Sequence, residues 1–346
     1  MAITVRPADL ESDRSVLIET LRRYLTPTST ERRFDWLYKR NPHGEARAWI
    51  AEETATRAVV GVAAAFPRRL LVRGDARLTW VLGDFCISAD YRTLGPAVQL
   101  QRAVLDAVQH ATMLAGYYDF PSRQMAAVYK RIGVAKEGGL VRMARVLRAD
   151  RLLTAFGGAG LARVLGPVAN LGLALDIHRR GASRGLSVER YAGRFGSEFD
   201  DLMHETGGAY DACIERSADY LNWRYVEHPS ERYEYLVAKK SGRVCGYAVF
   251  SSTAQDAILV DLFSVKLESI PDALLRHLAK ELWGRGVLTI SAPMVAGHPW
   301  MSALTRAGFR ARETSPFVVV PGPSRPADLF QDPQAPWHFM HGDRDS

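Results

Sequence analysis

The pattern Trp36-x-Tyr38-x-x-Asn41-Pro42 recurs 187 positions later as Trp223-x-Tyr225-x-x-His228-Pro229. Two further matches follow in the same order. Gly61-Val62-Ala63 before Phe66 matches Gly246-Tyr247-Ala248 before Phe250, and Arg131-Ile132-Gly133-Val134 matches Arg306-Ala307-Gly308-Phe309. Their offsets shrink to 185 and 175, as a duplicated unit with a few loop deletions would leave them. The chain is therefore read as one architecture used twice, and its 346 residues are enough for two domains.

In the first copy, Ile3–Arg6 reads as a strand and Asp9–Tyr24 as a helix with Val16, Leu17, Leu21 and Leu25 on one face. Thr28, Ser29 and Thr30 are N-cap candidates for a second helix that carries Asp35, Trp36 and Tyr38 and stops at Asn41-Pro42. Ala48–Glu52, Val59–Phe66 and Arg69–Val72 read as strands, with Arg73-Gly74-Asp75 as a hairpin turn. Val81–Ser88 is a further strand. An amphipathic helix follows, marked by Val98, Leu100, Val104, Leu105 and Val108.

The turn between them, Arg92-Thr93-Leu94-Gly95-Pro96-Ala97, has a physical use. The first amides of a helix have no internal partner, so together with the helix dipole they attract an anion such as a pyrophosphate. Gly95 and Ala97 are small enough to let a ligand reach the backbone, and Pro96 is tolerated in a first turn while removing one donor. Tyr117–Phe120 then reads as a strand, Pro121-Ser122 as a turn, and Gln124–Ile132 as a helix stopped by Gly133.

Arg92-x-x-Gly95-x-Ala97 resembles the Arg/Gln-x-x-Gly-x-Gly/Ala turn of the GNAT superfamily of N-acetyltransferases, and Tyr129-x-x-x-Gly133 resembles the end of that family's second acetyl-CoA segment. The resemblance implies an α/β (α+β) fold: two tandem GNAT-like domains, each a mixed, mostly antiparallel sheet flanked by helices. It implies acetyl-CoA as co-substrate, held by Phe85, Cys86, Ile87, Ser88, the turn Arg92, Thr93, Leu94, Gly95, Pro96 and Ala97, and by Ser122 and Tyr129. It also implies Tyr129 as general acid toward the departing thiolate, and backbone amides near Cys86–Ser88 for the oxyanion. Where the family often has an asparagine and an alanine, this chain has Ser122 and Met125.

Asp84, in the strand leading to the turn, is placed to act as base; a buried carboxylate paired with an arginine is the other reading. Tyr129 is either proton donor or packing beside the cofactor. Asp35, Trp36 and Tyr38 fall on the helix that lines the family's acceptor cleft. Because Trp and Tyr occur in both copies, packing is the better reading for them, and Asp35, with Asn222 opposite, is the better substrate candidate. Glu52 and Glu53 read as exposed charge. His43, His110 and His298 show no ligand spacing, so no metal is expected.

Residues 1–150 form the acetyl-CoA-binding unit, closed by a strand over Gly138–Leu147. They carry 23 basic and 16 acidic residues, the whole of the net +7, which suits an anionic ligand. No dense basic run marks a nucleic-acid surface. Residues 151–185 read as linker helices with an exposed joint at Arg179–Gly185; Arg163 and Pro167 argue against a membrane span. Residues 186–322 form a degenerate copy that lacks the phosphate turn and has Leu304 where Tyr129 stands. Residues 323–346 read as a loosely held tail.

Cys86, Cys213 and Cys245 form neither a disulfide framework nor a metal pattern, and a reducing cytoplasm fits. The reading is thus a bacterial-type N-acetyltransferase acting on a primary amine, with homodimerisation open. A Fem-type aminoacyl transferase using aminoacyl-tRNA and a non-catalytic acyl-CoA sensor or assembly module are the alternatives.

Overall fold

The computed structural model describes residues 2–109, 114–133, 136–178, 185–322 and 336–345. The first part runs β1 (Ile3–Pro7), α1 (Arg14–Tyr24), α2 (Glu31–Phe34), β2 (Arg47–Glu53), β3 (Val59–Val72), β4 (Asp75–Ile87), α3 (Leu94–Gln109), β5 (Leu114–Asp119), α4 (Arg123–Ile132) and β6 (Lys136–Val146). Then come α5 (Asp150–His178), β7 (Leu186–Tyr191), α6 (Ser197–Thr206), β8 (Ala212–Ile214), α7 (Ala218–Leu221), β9 (Glu234–Lys240), β10 (Arg243–Ser252) and β11 (Asp256–Ser264). The chain ends with α8 (Ser269–Gly284), β12 (Thr289–Val295), α9 (Met301–Arg306), β13 (Arg310–Pro321) and β14 (Trp337–His338).

Local chemistry accounts for many of these boundaries. Thr30 caps α2, its hydroxyl accepting from the Arg33 amide at 3.2 Å. The predicted strands Val59–Phe66 and Arg69–Val72 are one strand, β3. It turns back through Arg73 and Gly74, both at positive φ, the two-residue hairpin that matches strand twist. Helix α1 begins at Arg14 rather than Asp9, because Asp9 accepts from the amides of Glu11 and Ser12 in a turn that precedes the helix. Glu52, expected to be exposed, is buried and paired with Arg6 at 2.7 Å and Arg57 at 2.9 Å.

One mixed sheet runs through the molecule in the order β1-β2-β3-β4-β5-β13-β6-β12-β11-β10-β9-β7. From each outer edge inward the order repeats: β1-β2-β3-β4-β5 on one side, β7-β9-β10-β11-β12 on the other. The strand expected to close the first unit does not do so. β6 pairs with β12 and β13, while β13 crosses back to pair with β5. Each half thus gives its last strand to the other half's side of the sheet, so a cut near residue 150 would sever paired strands.

At the join, Trp36 and Trp223 stack with ring centroids 4.8 Å apart. Each indole N–H donates to the other's carbonyl, at 2.7 and 2.8 Å. The end of the expected tail is also core: Trp337, Phe339 and Met340 are fully buried, and β14 pairs with β8. The apolar run Trp337-His338-Phe339-Met340 outweighs the proline and charge around it. Residues 179–184 of the expected joint, and His110, lie outside the described residues. Among those described, no helix is long and apolar enough to cross a membrane.

Candidate functional site

Strands β4 and β5 run parallel and pair from Leu78↔Leu114 to Val81↔Tyr118, where pairing ends. Asp119 continues to pair with β13 through Val318, so only its β4 side opens. On the other flank of β4, the register with β3 slips between Val62↔Cys86 and Ala64↔Gly83. That bulge takes Asp84 and Phe85 out of the ladder, with Asp84 at φ +46°. The strands therefore part in a V, and a cleft of about 1120 Å³ opens there.

The cleft extends beyond the V. One wall is Gly83–Ile87, Arg92–Leu94 and Ala97; the opposite one is Asp119–Ser122, Met125 and Val128. The second half closes it with His228, Glu231 and Tyr233, and the C-terminal segment with His341, Arg344 and Asp345. Of the predicted coenzyme contacts, Phe85, Cys86, Ile87, Arg92, Thr93, Leu94, Ala97 and Ser122 line this cleft. Ser88, Pro96 and Tyr129 do not. Gly95 opens onto a neighbouring hollow along α3, and a Cβ added there would meet nothing within 4 Å.

The passage from β4 to a helix is where the sequence placed it, and α3 already begins inside the expected turn. Helix α3 starts at Leu94, so the Leu94 and Gly95 amides precede any carbonyl within the helix that could accept from them. Arg92 reaches back to the Ile87 carbonyl at 3.2 Å. Ser122 caps α4 through the Met125 amide while lining the cleft. The expected oxyanion donors need correction: the Ser88 amide already donates to Val60 O at 2.7 Å, and Cys86 and Ile87 stand opposite Val62 and Gly61 in the ladder. Burial pushes the Cys86 thiol up to about 12, so it stays protonated and is no nucleophile.

Asp84 is not a free base. Its carboxylate takes both arms of Arg33, at 2.7 and 2.8 Å, and the Tyr38 hydroxyl at 2.8 Å, all of them buried. The second half repeats the motif: Asp261 accepts from Tyr225 at 3.2 Å, and Arg216 pairs with it at 3.3 Å. A tyrosine–aspartate–arginine cluster present in both halves is a packing device, and it could have been noticed because Tyr225 falls in the repeated pattern.

Trp36 and Tyr38, on the helix expected to line the acceptor cleft, pack as their recurrence in both copies implies, and the substrate candidate Asp35 lies away from the cleft. Trp36 is stacked on Trp223, Tyr38 is held on Asp84, and Asp35 pairs with Arg14 at 2.9 Å beside a separate shallow hollow.

Tyr129 also differs from expectation. It is 2% exposed, and its hydroxyl donates to Asp119 at 2.7 Å and accepts from Gln101 at 3.1 Å. The group that faces the cleft is therefore Asp119, one hydrogen bond in front of the tyrosine. Burial pushes the Asp119 carboxyl up to about 7. Asp345 approaches from the C-terminal segment, its carboxylate 3.4 Å from the Asp84 amide. Any side chain at Gly83 would collide with it. Burial and the charge of Asp84 raise the Asp345 carboxyl above its ordinary value. No spacing rule pointed to Asp119 or Asp345, since both reach the cleft only through tertiary structure.

The second half has a corresponding parting of strands, and it is filled. β11 and β12 pair only from Asp256↔Thr289 to Ile258↔Ser291. Beyond that, Val295 N donates to Phe339 O at 3.1 Å, Met340 bridges Met294, and His338 Nε2 meets Leu262 O at 2.9 Å. Asp343 then pairs with Arg216 at 2.8 Å. The C-terminal segment thus plugs one V and delivers Asp345 to the other. Among the described residues, no group of His, Cys, Asp and Glu is arranged to hold a metal.

Compared with known proteins, the sequence matches no family model and no curated protein. The fold matches solved structures. A conserved protein of Enterococcus faecalis described as a probable N-acyltransferase aligns at 12% identity with a TM-score of 0.64, over 92% of this chain and 72% of that one. A GCN5-related N-acetyltransferase from Anabaena variabilis aligns at 12% identity and 0.63 over the same shares. Saccharomyces cerevisiae N-myristoyltransferase, solved with myristoyl-CoA bound, aligns at 11% identity and 0.58, over 92% of this chain and 82% of that one. The chain shares the fold of these proteins.

Proposed function

We propose that the protein transfers an acyl group from an acyl-coenzyme A to a primary amine, with acetyl-CoA the first donor to test. The observation that carries this reading is the open V between β4 and β5 beside the unpartnered first amides of α3. Arg92–Ala97 would hold the pyrophosphate, with the helix dipole and the Arg92 guanidinium opposing its charge. Phe85–Ile87 would hold the pantetheine arm. In this reading the two halves are copies of one unit, and the second serves as a wall, since its own V is filled.

The acceptor side carries Glu231 and Asp345, two carboxyl groups that suit an ammonium. Asp345, which reaches the cleft with its carboxylate 3.4 Å from the Asp84 amide, is the group placed to take the ammonium proton. The Phe85 amide, freed from the β3 ladder by the bulge, is the candidate donor to the developing oxyanion. Similarity to both acetyl- and myristoyl-transferring proteins leaves the acyl length as the variable to measure. CoA-thiol release is followed from acetyl-, octanoyl- and myristoyl-CoA against a panel of primary amines. Amine-dependent release with at least one donor supports the reading; folded protein that releases no thiol from any donor refutes it.

A further inference from the structure

We propose that Asp119, rather than Tyr129, delivers the proton to the sulfur of the departing coenzyme A, and that Tyr129 is a positioning residue that holds the Asp119 carboxyl. This inference rests on the acyltransferase reading and names the acid in that same cleft. Asp119 is the first β5 residue beyond the last β4–β5 pair, so its β4 side opens into the cleft while β13 fixes its backbone through Val318. Tyr129 cannot serve from where it lies: it is buried among apolar side chains, does not line the cleft, and spends its hydroxyl proton on Asp119. Gln101 in turn donates to the tyrosine oxygen, which fixes the direction of that bond.

The groups facing Asp119 account for its protonation. Burial and Asp345 favour the acid; the hydroxyl of Tyr129 from α4, the Phe120 amide and Arg344 from the C-terminal segment favour the carboxylate; β13 pairs with the Asp119 backbone through Val318. Burial prevails, and the carboxyl stays at about 7. Near neutral pH the carboxyl therefore exchanges between acid and carboxylate, and its acid form can give a proton. Asp345, beside Asp84, supplies the second carboxylate, so acid and base are separate groups.

The step balances as follows. The amine nitrogen, having lost one proton to Asp345, forms the C–N bond as the carbonyl pair moves to oxygen. Return of that pair breaks the C–S bond, and the electron pair leaves on sulfur. The Asp119 O–H proton passes to sulfur to give the CoA thiol. The amide nitrogen releases its second proton through water. Asp345 passes its proton to solvent and solvent restores that of Asp119, so two protons leave, one returns, and one is released per turnover.

The test uses the full chain. Thiol release from acetyl-CoA with the best amine of the panel, acetyl-CoA binding by calorimetry, and the titration of 13C-labelled aspartate carboxyls are compared in the parent, Asp119→Asn and Tyr129→Phe. Asp119→Asn keeps size and an oxygen for Tyr129, so binding should hold within about threefold while turnover falls about a hundredfold. One carboxyl resonance titrating near neutrality should vanish.

In Tyr129→Phe, loss of the hydrogen bond that favours the carboxylate should move that titration to higher pH. The alkaline fall in rate, caused by loss of the Asp119 proton, should move with it. An Asp119→Asn enzyme within about threefold of the parent rate overturns the proposal, as does a Tyr129→Phe enzyme dead at every pH with the titration unmoved. A parent that neither binds nor releases thiol from acetyl-, octanoyl- or myristoyl-CoA overturns the acyltransferase reading itself, an outcome distinct from these.

Discussion

Replacing Trp36 by Phe tests whether the repeated aromatic pattern is architecture or substrate contact. The indole is 2% exposed, stacked at 4.8 Å on Trp223, and bonded through Nε1 to the Trp223 carbonyl at 2.7 Å. Phenylalanine keeps a ring but no donor, so a buried carbonyl loses its partner at a cost of about 1–3 kcal/mol. Truncation to alanine adds a cavity and should cost about 3–5 kcal/mol. The reciprocal bond from Trp223 Nε1 to Trp36 O, 2.8 Å, predicts that Trp223→Phe costs about the same.

The double variant should cost less or more than the sum by about 0.5–1.5 kcal/mol, because the two rings share one contact. Urea unfolding gives these differences from midpoint shifts at constant slope. Acceptor KM, measured in parallel, should stay within about twofold. A Trp36→Phe protein as stable as the parent, with KM raised tenfold or more, would refute the reasoning and return the indole to the substrate.

Other perturbations address the remaining parts of the account. Arg33→Met strands the buried Asp84 carboxylate and should destabilise the fold by about 3–5 kcal/mol, read by the same unfolding assay. Phe339→Ala should cost about 3–5 kcal/mol, whereas a loose tail would lose nothing. Burial holds His298 and His338 neutral, well below the ordinary histidine range. The unfolded chain protonates them below about pH 6.5 and the folded chain does not, so their contribution is complete above that pH and declines as pH falls. Each should remove about 1.4 kcal/mol per pH unit of acidification, and His298→Gln should flatten the measured stability–pH slope correspondingly.

What the sequence made legible was local. The β4–turn–α3 passage, the Arg73-Gly74 hairpin, the cap at Thr30, the turn at Pro121-Ser122 and the stop at Gly133, with φ +80°, all follow from chemistry within a few residues. The exchange of β6 and β13 did not show, because a strand's alternation specifies a buried face and not which neighbour it will pair with.

Asp119 and Asp345 escaped for a related reason. One ends a short strand, the other closes a segment thought loose, and they meet the same cleft only after the C-terminal segment has crossed the second half. For Asp84 the second of the two readings holds, a buried carboxylate paired with an arginine, while Tyr129 is packed with its hydroxyl on Asp119. Pairing with Arg33, and donation to Asp119, are tertiary facts that no motif encodes.

The central claim is that one V of the two receives acyl-CoA. Calorimetric titration of the full chain with acetyl-CoA tests it, alongside Gly95→Glu. A glutamate there has room for its Cβ and lies in the first turn of α3, where a negative charge favours the helix, so the fold should hold while the pyrophosphate is repelled. The account predicts one site per chain in the parent and none in the variant. Two sites, or full binding in Gly95→Glu, would contradict it.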